Sequence, residues 1–439
     1  MCPAVWLGIF SISTPIPFLI VILNAIRPDF PSEVSMARVV QKYGGTAVSS
    51  PEQIKKVAQR VIDSYNDNND VVVVISAKAG ETNRLIEMAQ EMCPGQEGRE
   101  YDVLISAGEQ VSVGLLALCI RCMGYKTRTY LGWQVPIITD SLHSRASIED
   151  INPDKIITDL NLGAIVIVAG FQGIDRAGNI TTLGRGGGDT SAVALAGALG
   201  AEQCELYSDV DGIFSADPEV CGDARKIETI SYDEMLELAS QGARGVQIRA
   251  IEYAKRHNVR IHVRSSFSTA SGTLITGEET TMEGVVVTGI VFDDNEAKIA
   301  VLGVPDKPGT AARILTALAD KDISVDMIVQ NVSQAGLADL TFSVSKTDLD
   351  KAHLITKQIA EELDAREIIA DRNISKVSIV GLGMKNHAGV AARMFTALAY
   401  NNINIQMIST SEIKVSVAID EKYTQLAVRV LHEAFIAHA

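Results

Sequence analysis

The sequence predicts an α/β protein: a three-layer αβα domain with a mostly parallel central sheet, followed by two small α+β modules of ferredoxin-like type. Three observations predict it. Apolar runs at 71–76 and 164–169 alternate with helical stretches, the pattern of strands covered on both faces. Glycine-dense turns follow such runs, at the strand ends where open α/β sheets bind ligands. The last third of the chain contains an internal repeat.

Length and composition fit this class. A chain of 439 residues makes two or three domains, and 47% hydrophobic with 21% charged residues is ordinary for a globular protein. The formal charge of −15 argues against a nucleic-acid backbone binder. The six cysteines are scattered. Cys119 and Cys122 form a CxxC, but inside a helical run at 111–123 and without a second pair, so they read as packing or surface residues. His257 and His262 share one stretch without an acid-rich ligand set, and no metal site of the protein's own is expected.

Residues 4–26 are nearly all apolar, with Pro15 and Pro17 among them. By composition this is a signal segment or a poor membrane anchor, but an early basic region is missing and the prolines weaken a helix. The stretch 1–35 is therefore expected to be a disordered extension or a mis-assigned start, with the working protein beginning at Met36 and no membrane partner.

In chain order, 37–41 is a short β-type run followed at once by Lys42-Tyr43-Gly44-Gly45-Thr46. Residues 51–65 read as an amphipathic helix with Ser49 or Ser50 as cap and Pro51 in its first turn. A strand, a Lys-Gly-Gly turn and a helix make a candidate phosphate loop. It is not a Walker A motif, because the lysine precedes the glycines. The strand at 71–76 ends in Ala77-Lys78-Ala79-Gly80-Glu81-Thr82-Asn83. Ser106-Ala107-Gly108-Glu109 opens a long apolar helix to 123, where Glu109 either complements the helix dipole or faces the cleft and binds an ammonium group.

Strand–helix alternation continues through 126–139, 164–169 and 204–208. A glycine loop at 184–188 then leads into Asp189, Thr190, Ser191 and an alanine-rich helix. Glycines let backbone N–H groups approach a ligand, and a helix start after such a loop suits an anion. The plain reading is a glycine turn with an ordinary helix cap. Arg185 and Asp189 inside the loop favour an anion site. A dinucleotide fingerprint is excluded, because its third glycine falls on Asp189. The strand at 204–208 ends in Ser208-Asp209-Val210-Asp211-Gly212 and then Phe214-Ser215-Ala216-Asp217-Pro218. This is either a nucleoside pocket or a pair of Asp-Gly and Asp-Pro turns. Helices follow at 231–240 and 246–256, and a strand at 259–264. Residues 279–282 read as linker.

Residues 309–328 repeat at 389–408, with eleven of twenty positions identical. Each copy reads strand, loop, helix, strand, then a further strand, helix and strand, the ferredoxin-like order.

Together, KYGGT at 42–46, SAGE at 106–109, GFQG with TTLGRGGGDTSAVALA at 170–196, YSDVDGIFSADP at 207–218, HVRSS at 262–266 and the paired C-terminal repeats resemble the aspartokinase family. The resemblance runs from Met36 to the end. It implies an amino-acid-kinase catalytic domain at 36–278, a linker at 279–296, and ACT domains at 297–373 and 374–439. It also implies a cytoplasmic enzyme that phosphorylates the side-chain carboxylate of L-aspartate with ATP and Mg2+, the entry to lysine, methionine and threonine. The chemistry suits the residues. A carboxylate nucleophile is already ionised near neutral pH, so the enzyme must align two anions and neutralise charge rather than supply a base.

By the same resemblance, Lys42 reaches the transferring phosphate, the Gly44 and Gly45 amides cradle it, and Asp189 orients the lysine. Arg185 clamps the α-carboxylate of aspartate and Glu109 takes its ammonium. Ser76, Thr82, Phe171, Gly186, Gly187 and Gly188 line that pocket. Tyr43, Ser208, Asp209, Phe214, Ser215, Ala216, Asp217 and Pro218 hold the nucleotide, with Arg244 near the phosphates. Asp306, Lys307, Pro308, Gly309, Asp326 and Gln330 match the effector loops of the first repeat. Val390, Ala391, Asn404, Ile405, Ser411 and Glu412 match those of the second. Lysine or threonine would bind between ACT domains of two chains, giving a dimer or larger assembly. Some relatives add a short regulatory chain from an internal start. Gly188 replaces a usual serine, Glu219 an arginine, Ala47 a serine and Ala391 a threonine. Two other readings are weighed. A kinase for glutamate, N-acetylglutamate or a nucleotide would lack the ACT tail and the combined motifs. Against a catalytically dead amino-acid sensor stand Lys42, Glu109, Arg185 and Asp189.

Overall fold

Val71 to Ile75 and Ile165 to Ala169 are buried along their whole length. Successive side chains point to opposite faces of a strand, so such runs need cover on both sides. The computed structural model describes residues 37–437 apart from 96, 278–285, 333–335 and 388. The N-terminal stretch expected as an extension and the linker reading at 279–282 lie outside the described residues.

The first domain runs β1 (Ala37–Tyr43), α1 (Pro51–Asn66), β2 (Asn69–Ile75), α2 (Glu81–Met92), α3 (Arg99–Ile105), α4 (Ala107–Cys122), β3 (Thr127–Tyr130), β4 (Ile137–Thr139), β5 (Ile148–Ile151), α5 (Asp154–Asn161), β6 (Ile165–Ala169), β7 (Gln172–Asp175), β8 (Ile180–Thr182), α6 (Gly187–Leu199), β9 (Gln203–Ser208), β10 (Thr229–Ser231), α7 (Tyr232–Ser240), α8 (Ile248–His257), β11 (Ile261–Ser265) and β12 (Thr273–Thr276). Local chemistry sets several boundaries. Ser50 caps α1, its Oγ accepting from Gln53 N at 3.3 Å, with Pro51 in the first turn. Ser231 and Glu234 form a reciprocal capping box on α7.

The main sheet has the order β10-β12-β11-β9-β1-β2-β6-β3, and all its pairs are parallel except β11 with β12. Val40, Val72, Val74, Val166 and Val168 face one layer, built largely from α6, α7 and α8. Tyr43, Val71, Val73, Ile75 and Ile167 face the other, built from α1 and α4. The run Arg99–Cys122 is apolar and long enough to cross a membrane by composition, but half of its most apolar window is buried inside the molecule. The stretch 126–139, read as part of the strand–helix alternation, holds two strands. β3 joins the main sheet, whereas β4 joins a separate sheet of order β5-β4-β7-β8. The turn at 131–136, closed by Leu131 N to Gln134 Oε1 at 2.9 Å, redirects the chain between them.

Beyond it come β13 (Gly289–Asp293), β14 (Glu296–Pro305), α9 (Thr310–Ala319), β15 (Ile328–Val332), β16 (Leu337–Ser345), α10 (Leu349–Glu362), β17 (Glu367–Asp371), β18 (Ile374–Val380), α11 (Val390–Tyr400), β19 (Ile405–Thr410), β20 (Lys414–Asp420) and α12 (Thr424–His432). The first module is a complete ferredoxin-like unit, β15-β16-β14-β17. The second departs from expectation. A helical turn, not a strand, follows α12, and β13 fills the fourth position by pairing antiparallel with β18. The first module is thus inserted between β13 and the rest of the second. The stretch expected to be linker at 279–296 contains a structural strand, because the free edge of β18 needs a partner and the apolar run at 290–292 supplies one.

Candidate active site

β1 lies between β2 and β9, and the chain departs from it in both directions across the sheet. The crevice at its carboxyl end is where such sheets hold ligands. Lys42 and Tyr43 are neighbours on this strand, so they face opposite sides. Lys42 points toward α6, where its Nζ lies 2.7 Å from Asp189 Oδ1. The Tyr43 ring lies on the far face, stacked on Tyr207 with centroids 4.7 Å apart. Tyr43 can therefore serve the site through its backbone and not through its ring.

Four turns converge on the Lys42–Asp189 pair. Gly44 N donates to Tyr207 O, tying the turn to the end of β9. A Cβ on Gly45 would lie 2.7 Å from Ala77 O, so this turn needs glycine to pack on the one after β2. A Cβ on Gly188 would lie 3.0 Å from Ser76 Oγ and 3.4 Å from Lys42 Cε. Gly188 therefore sits against both Ser76 and the lysine. Gly184 and Gly186 have φ of 74° and 73°, the left-handed region, and place Arg185 between two sharp bends. Arg185 is exposed, and among the described residues no carboxylate pairs with it. Phe171 also has positive φ. Its N–H donates to Ser191 Oγ at 3.0 Å, and its ring packs by Gly187.

Glu109 is buried in the first turn of α4. Its Oε1 accepts from Ala77 N at 3.0 Å, and its Oε2 has no partner. Burial raises its pKa to about 7, against the partial opposition of the Ala77 N–H. Gly108 lets α4 come this close, since a Cβ there would lie 2.8 Å from Ala77 Cβ. A buried carboxylate oxygen without a donor is a ready seat for an ammonium group. Thr82 lies in the first turn of α2, directly after this loop.

The nucleotide expectation maps onto a cavity of about 610 Å³. Asp209, Phe214, Ala216, Asp217, Pro218 and Arg244 line it, together with Glu219. Ser208 closes β9 beside it, with Val210 N donating to its Oγ at 3.4 Å. Ser215 does not face the cavity. Its Oγ takes Arg225 N and meets His432 Nε2, both at 2.9 Å, so the side chain points into the second C-terminal module. The wall that sequence reasoning missed is Ile290 to Asp294, the strand supplied to that module. Its sequence carries no ligand motif, only a short apolar run, Ile290 to Phe292, followed by two acids.

Of the effector candidates, Asp306 to Gly309 lead into α9, and Val390 and Ala391 open α11. Gln330 lies on edge strand β15, Asn404 and Ile405 at the start of edge strand β19, and Ser411 and Glu412 in the turn after it. Asp326 is engaged: its carboxylate holds the buried Lys376 ammonium, which also bonds Glu296 Oε1 at 3.1 Å. This joins the two modules within one chain and leaves Asp326 less available than the sequence implied.

Residues 37–265 match the amino acid kinase family, and 298–364 and 377–435 each match the ACT domain. The chain is 52% identical to an aspartate kinase of Pseudomonas fluorescens over 403 residues, covering 91% of this chain and 98% of that one. It is 45% identical to an aspartokinase of Mycobacterium tuberculosis over 405 residues, covering 91% and 96%. Among solved structures it is similar to E. coli aspartokinase III in complex with aspartate and ADP, with a TM-score of 0.73, 25% identity and coverage of 90% and 99%. The aspartate kinase of Synechocystis shares 40% identity at a TM-score of 0.51, covering 90% of this chain and 69% of that one. Identity of this order across nearly the whole of both chains, on a lysine-and-glycine site at a sheet switch point, means that the chain belongs to the aspartokinase family.

Proposed function

We propose that this site transfers the γ-phosphoryl group of ATP to the side-chain carboxylate of L-aspartate, giving 4-phospho-L-aspartate, with Lys42 as the central charge-neutralising group. One observation carries the reading. A lysine ammonium is held 2.7 Å from a carboxylate where the glycine turns at 44–45 and 184–188 meet. Asp189 fixes the position of the ammonium, and the turns bring backbone N–H groups to phosphate oxygens. The nucleophile needs no base, so positioning and electrostatics supply the acceleration. The 610 Å³ cavity suits the nucleoside, and Arg244 on its lining is read as a phosphate contact. Magnesium would arrive on the triphosphate, which supplies its oxygen ligands.

Aspartate is read as held at both ends of its α-carbon: Glu109 Oε2 takes the ammonium and Arg185 the α-carboxylate. The orphaned oxygen of Glu109 supports this, as does the aspartate and ADP complex of the structurally similar E. coli enzyme. We further read the ACT modules as the seat of feedback inhibition by lysine, threonine or both. Edge strands β15 and β19, with Ile328, Val332 and Ile408 exposed, are suited to pairing two chains into a dimer. Lys42→Ala tests the central role. Turnover should fall by about a thousandfold or more while aspartate KM changes little, because the ammonium acts on the transition state. Unchanged turnover removes Lys42 from the chemistry.

A further inference from the structure

We propose that Asp102 and Arg249 are positioning residues for the substrate loop at 183–188, gripping the same two chain segments from opposite chemical sides. The inference rests on the reading of Arg185 as the aspartate clamp and adds how that clamp is held in place.

Asp102 sits in α3 and is fully buried. Its Oδ1 accepts from Thr182 Oγ1 at 2.7 Å and Ser144 N at 3.0 Å, and its Oδ2 accepts from Thr182 N at 3.0 Å. His143 Nδ1 lies 2.8 Å from Oδ2. Arg249, on α8, donates from Nη1 to Leu183 O at 2.5 Å and from Nη2 to Ala146 O at 2.7 Å. The carboxylate thus collects the donors of 143–144 and 182, and the guanidinium collects the acceptors of 146 and 183. The two segments also bond each other, Ala146 N to Thr182 O at 2.9 Å.

The first segment carries a strained residue and packs closely on the second. Ser144 has φ of 67°, and a Cβ on the left-handed Gly184 would lie 2.9 Å from Ser144 O. Left to itself, a tight Gly-Arg-Gly turn would sample several geometries. Here its first peptide groups are fixed by two charged side chains, each making charge-assisted bonds. Arg185 follows Leu183 by two residues. A shift at 182–183 therefore passes directly to the guanidinium, and displacements of about 1 Å are enough to cost much of an enzyme's rate. Neither Asp102 nor Arg249 has a part in the chemistry assigned to Lys42, Asp189 and Glu109.

The test uses the full-length enzyme and four variants. Thr182→Val removes one grip of Asp102 with little change in volume, Thr182→Ser keeps the hydroxyl, Arg249→Met removes the other grip, and Arg185→Ala reports on the clamp itself. Thr182→Val and Arg249→Met are expected to raise aspartate KM by about fivefold or more, from the loss of charge-assisted bonds. Each should leave ATP KM within about twofold of wild type and reduce the preference for aspartate over glutamate. Thr182→Ser should restore aspartate KM. A purely structural role would lower melting temperature and active fraction without moving KM or the aspartate-to-glutamate ratio. Wild-type aspartate KM in Thr182→Val or in Arg249→Met overturns the paired grip. If Arg185→Ala leaves aspartate KM unchanged, the clamp reading itself fails and the proposal falls with it; a raised KM there with unchanged KM in the other two sinks the proposal alone.

Discussion

Glu109 should make aspartate binding depend on pH in the neutral range, and Glu109→Gln should remove that dependence. Burial raises its carboxyl from 4.5 to about 7 in the absence of ligand. Only the ionised form can pair with the α-ammonium of aspartate. With a pKa of about 7, roughly nine-tenths of the sites are ionised at pH 8 and roughly one-tenth at pH 6. The aspartate KM should therefore rise about tenfold from pH 8 to pH 6 at saturating ATP. The stability of the free enzyme moves the opposite way. The folded state binds more protons than the unfolded chain between pH 4.5 and about 7. Stability contributed by this group is present at low pH and is lost as pH rises through that window, by about 3 kcal/mol. Glu109→Gln should consequently be more thermostable than wild type at pH 8 without ligand, yet show an aspartate KM roughly tenfold to a hundredfold higher, with no pH slope. Initial rates from a coupled ADP assay across pH 6 to 8.5, with melting curves alongside, measure both. A flat wild-type KM profile, or a Gln variant that keeps the slope, refutes the reasoning.

Gly186→Ala should cost about 1–2 kcal/mol of stability and most of the activity, because a side chain at φ of 73° is strained and its Cβ would lie 2.0 Å from Gln247 Cγ. Combining it with Gln247→Ala should recover only part of the steric cost, since the Cβ at 247 would remain 2.7 Å away; denaturant melts of the double variant would measure this. Ser215→Ala should lower stability by about 1–2 kcal/mol, since it leaves Arg225 N and buried His432 without their partner. ATP KM should change little, because the hydroxyl does not face the cavity; a large rise in ATP KM would return Ser215 to the nucleotide site.

Much of this site was legible because its chemistry is local. Lys42 lies at the end of a strand that Gly44 and Gly45 follow directly, and Gly184 to Asp189 lead into the first turn of a helix, so spacing alone put cations and backbone donors at sheet ends. The repeated helices at 310–319 and 390–400 were visible as identity between copies. What escaped were placements decided by distant pairing. β13 belongs to the second module because β18 offers a free edge some eighty residues later in the chain. The ring of Tyr43 is turned to the other face by strand alternation, which leaves only its backbone beside Lys42. Ser215 stood inside a nucleotide motif, yet His432 of the closing helix claims its hydroxyl. Asp102 gave no signal at all, since a lone acid in a helix looks solvated until its donors at 143–144 and 182 are folded around it.

The most direct test of the central claim is hydroxamate trapping of the acyl phosphate formed by the full-length enzyme from ATP, magnesium and each of a panel of amino acids. The expected result is aspartyl hydroxamate from aspartate, little or no product from glutamate, and loss of the signal in Lys42→Ala. Product from glutamate but not from aspartate, or undiminished product from Lys42→Ala, would contradict the account.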